Sequence, residues 1–193
     1  MPTGRGFGVA MPVSSLLVSL LLSACAGIQG KTAGMQADPP VCRDIPGFAS
    51  PAQLCVSIDA GREETWFTRD SGSPGPRHTI TGLSFTGNGQ ASFGDFSISP
   101  QGSWLAVTIA EEGHPSLLFR QLMPALRGEA DAMQLPVVAI YPGGVSLDEW
   151  QDDHTLIIVS DQYLLHPHEH VLLDRERRYA VHLPDGALTL KAD

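Results

Sequence analysis

From about residue 56 onward, apolar or β-branched side chains alternate with polar ones in short runs that end at Gly, Pro or Asp. A period of two places successive side chains on opposite faces of a strand, so the runs predict an antiparallel, all-β domain. The runs cover 56–58, 65–68, 78–81, 83–86, 91–93, 104–109, 116–119, 135–141, 155–160, 170–173 and 179–183. Asn88-Gly89, between two of them, predicts a tight hairpin. Only 122–133 is compatible with a helix, and Pro124 and Gly128 weaken that prediction.

An internal repeat refines the fold class. Residues 96–108 align without gaps with residues 148–160, and each segment joins a strand, a polar turn and a more apolar strand. A repeat of this spacing is typical of a four-stranded propeller blade. In the first copy Pro100 presets φ at the corner of the turn, and Gly102 accepts a positive φ.

The turn Ser99-Pro100-Gln101-Gly102 resembles the Ser-Pro-Asp-Gly turn of TolB-like and related WD40-like propellers, with Gln in place of the usual Asp. The resemblance implies propeller-like blades, of which two lie between residues 96 and 183 and a degenerate third between 56 and 95. Propellers usually close with four or more blades. We therefore expect either about three blades of an incomplete propeller, which association could complete, or a twisted β-sandwich.

The first 25 residues have the layout of an export signal. Arg5 precedes an apolar run over 13–22 that is too short for a permanent membrane helix, which needs about 20 residues. The segment Leu22-Ser23-Ala24-Cys25 resembles the lipobox of bacterial lipoproteins, which implies removal of residues 1–24 and acylation of Cys25. An ordinary signal peptide cut at the small residues is the alternative. In the lipoprotein pattern Ala26, rather than Asp, implies an outer-membrane anchor facing the periplasm.

Residues 25–40 are rich in Gly, Gln and Pro and lack apolar periodicity, which predicts a flexible tether before a domain over 41–193. If Cys25 carries lipid, Cys42 and Cys55 remain as a pair in an oxidising compartment. We expect a disulfide between them, with two unpaired buried thiols as the alternative.

Charge excludes one class of partner. The chain has 21 acidic and 12 basic residues and a formal net charge of −9. Nucleic-acid affinity depends on Lys and Arg neutralising phosphates, so we expect no nucleic-acid partner.

Candidate chemistry is sparse. In an extended chain His166, His168 and His170 point to one side, where three imidazoles could hold a transition metal such as Zn²⁺; a solvated hairpin loop is the alternative. The acidic group Asp148, Glu149, Asp152 and Asp153 could hold Ca²⁺, although an ordinary solvated turn explains it as well.

The charged run 174–178 predicts an exposed hairpin tip, with partner docking as the alternative interpretation. Trp104 and Trp150 lie in the repeated hairpins and are expected to pack in the core or between blades.

The chain lacks a Gly-x-Ser-x-Gly elbow, a phosphate-binding glycine loop and a His-Glu-x-x-His motif, so we expect no enzyme and no cofactor. The combination favours a membrane-anchored binding or scaffold module for an envelope or secreted protein, and sheet edges could serve for strand addition. A toxin-neutralising (immunity or inhibitor) lipoprotein and a metal-binding protein built on His166, His168 and His170 are the alternatives.

Overall fold

The computed structural model describes residues 39–48, 50–60, 62–71, 76–87, 89–129, 133–138, 143–165 and 171–192. All of them belong to the compact unit Met35–Asp193. The expected signal peptide, the acylated Cys25, nearly all of the tether and the histidines His166, His168 and His170 lie outside the described residues.

Twelve strands and one short helix make up the described residues, and the strands form three antiparallel four-stranded sheets. Sheet A contains β1 (Val41–Asp44), β2 (Ala52–Ile58), β3 (Glu64–Asp70) and β4 (His78–Thr79). Sheet B contains β5 (Ser92–Ile98), β6 (Trp104–Glu111), β7 (His114–Gln121) and β8 (Met133–Val138). Sheet C contains β9 (Val145–Trp150), β10 (Thr155–Gln162), β11 (Leu172–His182) and β12 (Ala187–Leu190). In each sheet the strands follow chain order. The predominance of antiparallel strands confirms the predicted all-β class.

The repeat in the sequence corresponds to the opening hairpins of sheets B and C, β5–β6 and β9–β10. In the first of these turns Gly102 has a φ of +77° and its N–H donates to the Ser99 carbonyl at 2.9 Å, as the turn chemistry predicts. The third unit begins at Val41 rather than near residue 56. The early start brings both Cys42 and Cys55 into sheet A.

Sheet B contributes to two apolar cores. One core joins one of its faces to sheet A and the other joins its opposite face to sheet C, so alternate residues of β6 enter different cores. The first core is centred on Trp66, whose ring lies 5.5, 6.0 and 5.1 Å from the rings of Phe85, Phe93 and Phe96. Burying a side chain of this kind contributes about 1.5–3 kcal/mol. Trp104 lies in the second core, as the repeat suggested.

Cys42 and Cys55 stand directly opposite each other in β1 and β2 and form a disulfide with a Cα–Cα distance of 4.1 Å. The expected pairing is therefore confirmed.

The connection between sheets A and B differs from the sequence prediction. Residues 83–86 are not a strand, and no hairpin forms with β5; Asn88 itself lies outside the described residues. Leu83 and Phe85 still alternate with polar residues, because both side chains are buried in the core between the sheets. The period of two here reflects a loop anchored at every second residue.

The predicted helix is short, and one predicted pair of strands is a single strand. The helix α1 spans Leu122–Leu126 and ends where Gly128 adopts a φ of +69° and donates its N–H to the Ala125 carbonyl. Among the described residues no helix reaches the length and apolarity that a membrane crossing requires. Residues 172 and 173 of the first run and residues 179–182 of the run 179–183 lie in one strand, β11, which continues through the charged residues between them.

Candidate functional site

A cleft of about 340 Å³ lies beside the start of β3, between residues 63–66 and the connection 79–84. It exists because β4 is only two residues long and pairs with Phe67 and Thr68 alone. After one further bond, from the Ile80 N–H to the Trp66 carbonyl at 2.8 Å, the chain turns away at Gly82, which has a φ of +85°. In the described part of the chain, the first residues of β3 thus have no strand on this side. We call this space the β3 cleft.

The main chain of Glu64 faces the β3 cleft. The Glu63 carbonyl accepts from Asp59 on the β2 side, whereas the Trp66 carbonyl accepts from Ile80 on the β4 side. Successive residues of a strand direct their main-chain groups to opposite neighbours, so Glu64 shares the direction of Trp66. Because the Trp66 carbonyl is bonded to Ile80 and Thr65 faces β2, Glu64 is the residue of β3 whose main chain remains open to the cleft among the described residues.

The side chain of Glu64 supports the facing wall and also leaves one oxygen unused. Its Oε1 accepts hydrogen bonds from the main-chain N–H groups of Phe85 and Thr86, the latter at 2.9 Å. Its Oε2 is buried and has no hydrogen-bond partner among the described residues. Oε1 therefore satisfies two main-chain N–H groups of the connection that a neighbouring strand would otherwise satisfy, while Oε2 remains an unpaired acceptor.

Trp66 supplies the complementary group. It is 1% exposed, and its Nε1 is buried without a hydrogen-bond partner within the described ranges. Residues two apart in a strand point to the same face, so the free indole donor and the free Oε2 acceptor of Glu64 lie on one side of β3. Leaving a buried polar group unpaired costs about 1–3 kcal/mol, which makes such a pair beside an open cleft unusual.

The facing wall is fixed from behind by Arg120. This side chain is only 8% exposed, its Nη2 donates to the Ser84 carbonyl at 2.9 Å, and its guanidinium lies 4.7 Å from the centre of the Phe85 ring. A cation over an aromatic face is attracted to it, and the effect grows when water is excluded. The connection is therefore held in place at Ser84 and Phe85.

The lining determines what the cleft can do. It consists of Glu63, Glu64, Thr65, Trp66, Thr79, Ile80, Thr81, Gly82, Leu83 and Ser84. The lining offers two carboxylates, an indole N–H and several hydroxyls. These groups can donate and accept hydrogen bonds to a ligand.

The four acidic residues of the sheet C repeat do not converge on one point. Asp148 and Glu149 pair with Arg178 at 2.6 and 2.8 Å, and these two contacts raise the pKa of Arg178 further, the one with Glu149 most. Asp152 accepts from the His154 N–H at 2.7 Å, and this bond is the main cause of its lowered pKa. Among the described residues no group of three His, Cys, Asp or Glu side chains is placed to hold a metal ion.

Asp153 instead ties sheet C to sheet B. It is 5% exposed, and its Oδ1 accepts from the Ser99 hydroxyl at 2.6 Å and from the Gln101 N–H at 2.9 Å. Burial by itself raises the pKa of Asp153, but hydrogen bonds from Ser103, Ser99 and Gln101 outweigh it and leave the pKa below the usual value. The two repeated turns are thus joined by a buried carboxylate, beside a bond from Trp150 Nε1 to Ser97 Oγ at 3.0 Å.

The charged run 174–178 is not a hairpin tip. Ser160 of β10 pairs with Arg177 and Gln162 pairs with Leu172, so residues 173–176 oppose a single residue, Asp161, and bulge from the sheet. Bulges of this kind re-aim side chains and interrupt pairing.

The β3 cleft was not predicted from the sequence. Trp66 lies in the predicted strand 65–68, and Glu64 lies just before it. The only signal in the sequence is a carboxylate two residues from a tryptophan, a spacing that places both side chains on one face of a strand. Cys25 and the histidines His166, His168 and His170 lie outside the described residues. The lipid anchor and the metal site therefore stay predictions from the sequence.

No protein-family model matches the chain, and no curated protein matches it. Among solved structures, TolB from Acinetobacter baumannii resembles it with a TM-score of 0.46 and 18% sequence identity. The match covers 72% of this chain and 29% of that chain, so this chain spans less than a third of that TolB. It is a weak likeness of fold.

Proposed function

We propose that this chain is a lipid-anchored protein of the bacterial envelope that binds a protein partner and catalyses no reaction. The observation that carries the proposal is the β3 cleft, in which a free strand edge lies beside a buried, unpaired acceptor and donor on Glu64 and Trp66. Strand edges are surfaces to which other chains add.

The N-terminal sequence supports the location. The resemblance of Leu22-Ser23-Ala24-Cys25 to a lipobox favours acylation of Cys25, and Ala26 favours the outer membrane, facing the periplasm. Multiple acyl chains hold a protein stably, whereas a single chain binds only reversibly. A tether before Val41 lets the domain reach a partner away from the bilayer.

The cleft is tested in cells with a photo-crosslinking amino acid in the full-length chain. Thr81 is exposed on the wall of the cleft, so a crosslinker there should yield an adduct of one defined mass. Glu111 is exposed at the far end of β6 and serves as the matched position, which should yield none. Absence of an adduct at Thr81, or equal adducts at both positions, would contradict the proposal.

The anchor is tested separately by growth with an alkyne-labelled fatty acid. We expect the label on the wild-type chain and in the outer-membrane fraction, and neither in a Cys25→Ser variant. A wild-type chain that remains unlabelled would remove the envelope anchor from the proposal.

A further inference from the structure

We propose that the β3 cleft takes an extended peptide segment of the partner as an added strand, and that it selects a carboxamide or hydroxyl side chain on that segment. The inference rests on the proposed function and adds the chemistry of the ligand. It follows from three features of the cleft: its edge, its unpaired atoms and its fixed wall.

The edge determines the backbone of the ligand. Bonding on this side of β3 ends with the bond from the Ile80 N–H to the Trp66 carbonyl, although β3 begins two residues earlier, at Glu64. The main chain of Glu64 points into the cleft, where an antiparallel segment would meet it as a longer β4 would have done. A strand added here forms main-chain hydrogen bonds that do not depend on its side chains. Any segment that is extended can therefore bind, and the side chains determine which segment is preferred.

The unpaired atoms determine the side chain. Glu64 Oε2 requires a donor, and Trp66 Nε1 requires an acceptor. Carboxamides and hydroxyls offer both, whereas an ammonium group offers only donors and a carboxylate offers only acceptors. Asn, Gln, Ser and Thr are therefore the side chains that carry both the donor and the acceptor that these two atoms require.

One substitution should reverse the side-chain preference of the cleft without releasing the wall at Phe85 and Thr86. In Glu64→Gln the amide oxygen can still accept from Phe85 and Thr86, while the amide nitrogen replaces Oε2 and turns the free acceptor into a donor. The variant keeps the connection anchored and presents two donors to the ligand. A site with two donors favours a ligand carboxylate.

The experiment is a selection of seven-residue peptides from a random displayed library on the full chain, immobilised in detergent. The wild-type chain should enrich β-branched peptides with Asn, Gln, Ser or Thr at one fixed position. The Glu64→Gln chain should bind those peptides at least about tenfold more weakly, because the variant replaces the acceptor of their donor with a second donor and leaves both buried groups without a partner. Selection on this variant should shift the fixed position to Asp or Glu. Glu111→Gln removes the same charge at an exposed position on β6 and should leave the wild-type preference unchanged.

Trp66→Phe tests the donor. It removes the indole N–H while keeping an aromatic ring, and it should relax the selection for a side-chain acceptor. Trp104→Phe makes the same truncation in the other core and controls for lost packing.

Each outcome decides between the two proposals. A crosslink at Thr81 together with a selection that shows no carboxamide or hydroxyl preference, or one that Glu64→Gln leaves unchanged, would overturn this inference and leave the proposed function standing. Failure of both experiments would overturn both proposals. Sedimentation of the wild type gives a further outcome. A wild-type dimer that becomes a monomer in Glu64→Gln would show that a second copy of the chain occupies the edge, and it would also overturn the inference.

Discussion

Replacing Asp153 with Ala should weaken the junction between sheets B and C. The substitution removes the acceptor for the Ser99 hydroxyl and for the Gln101 N–H. The Ser99 side chain is fully buried and also accepts from the Trp104 N–H at 3.0 Å, so the substitution removes the acceptor of a hydroxyl that solvent does not reach. Hydrogen bonds to a charged group contribute about 1.5–3 kcal/mol each. Because Gln101 is exposed and water can replace one of the two bonds, we expect a loss of about 3 kcal/mol in the free energy of unfolding.

Urea unfolding followed by tryptophan fluorescence measures this loss by linear extrapolation. Asp152→Ala is the matched control, since the neighbouring carboxylate is exposed and contacts only its own turn among the bonds described above. The control should lose much less stability. Equal unfolding free energies for the two variants would refute the assignment of Asp153 as the tie between the sheets.

The pH dependence follows from the same carboxylate. The pKa of Asp153 in the folded chain lies below its ordinary value of 3.8, because the hydrogen bonds from Ser103, Ser99 and Gln101 outweigh the effect of burial. A lowered folded-state pKa contributes stability above the unfolded pKa, and that stability is lost as the pH falls through the folded value. The stability difference between wild type and Asp153→Asn should therefore be constant near neutral pH and shrink below pH 3.8. A constant difference down to strongly acidic pH would contradict the lowered pKa.

Three further predictions concern other parts of the fold. Burial raises the pKa of Tyr179, whose hydroxyl donates to the Gln162 carbonyl at 2.8 Å, so ultraviolet titration should show this phenol ionising last, and Tyr179→Phe should cost about 1 kcal/mol in urea unfolding. Replacing Cys42 and Cys55 together by Ser should lower the unfolding free energy by about 3 kcal/mol, and an equal stability of the reduced wild type and the variant checks the origin of the loss. Gly128→Ala should cost more than about 1 kcal/mol, because its φ is +69° and the added Cβ would overlap a carbonyl oxygen of the cleft connection.

The features that the sequence predicted are local or repeated ones. The Ser99-Pro100-Gln101-Gly102 turn depends on the φ preferences of its own residues, and the opening hairpins of sheets B and C share one pattern. The disulfide followed from counting cysteines, which needs no knowledge of the sheet. These predictions agree with the structure because the turn and the hairpins depend on a few neighbouring residues, and the disulfide followed by elimination.

The cleft depends on contacts that are distant in sequence. Whether β4 has two residues or six depends on where Gly82 turns the chain away, and that turn is stabilised from β3 by Glu64 and from β7 by Arg120. The alternation at Leu83 and Phe85 indicated a strand because a loop buried at every second residue has the same period. Asp153 was similarly ambiguous, because an acidic turn is usually solvated and only its neighbour in sheet B makes it a buried tie.

Amide hydrogen exchange at Glu64, measured by NMR, tests most directly whether the free edge of β3 receives a strand. In the free chain the Glu64 amide should exchange rapidly, while the amide of Thr65, which faces β2, should be protected. Saturation with a selected peptide should slow exchange at Glu64 and leave Thr65 unchanged. A Glu64 amide that is already protected in the free chain, or that exchanges equally fast in the saturated complex, would contradict strand addition at this edge.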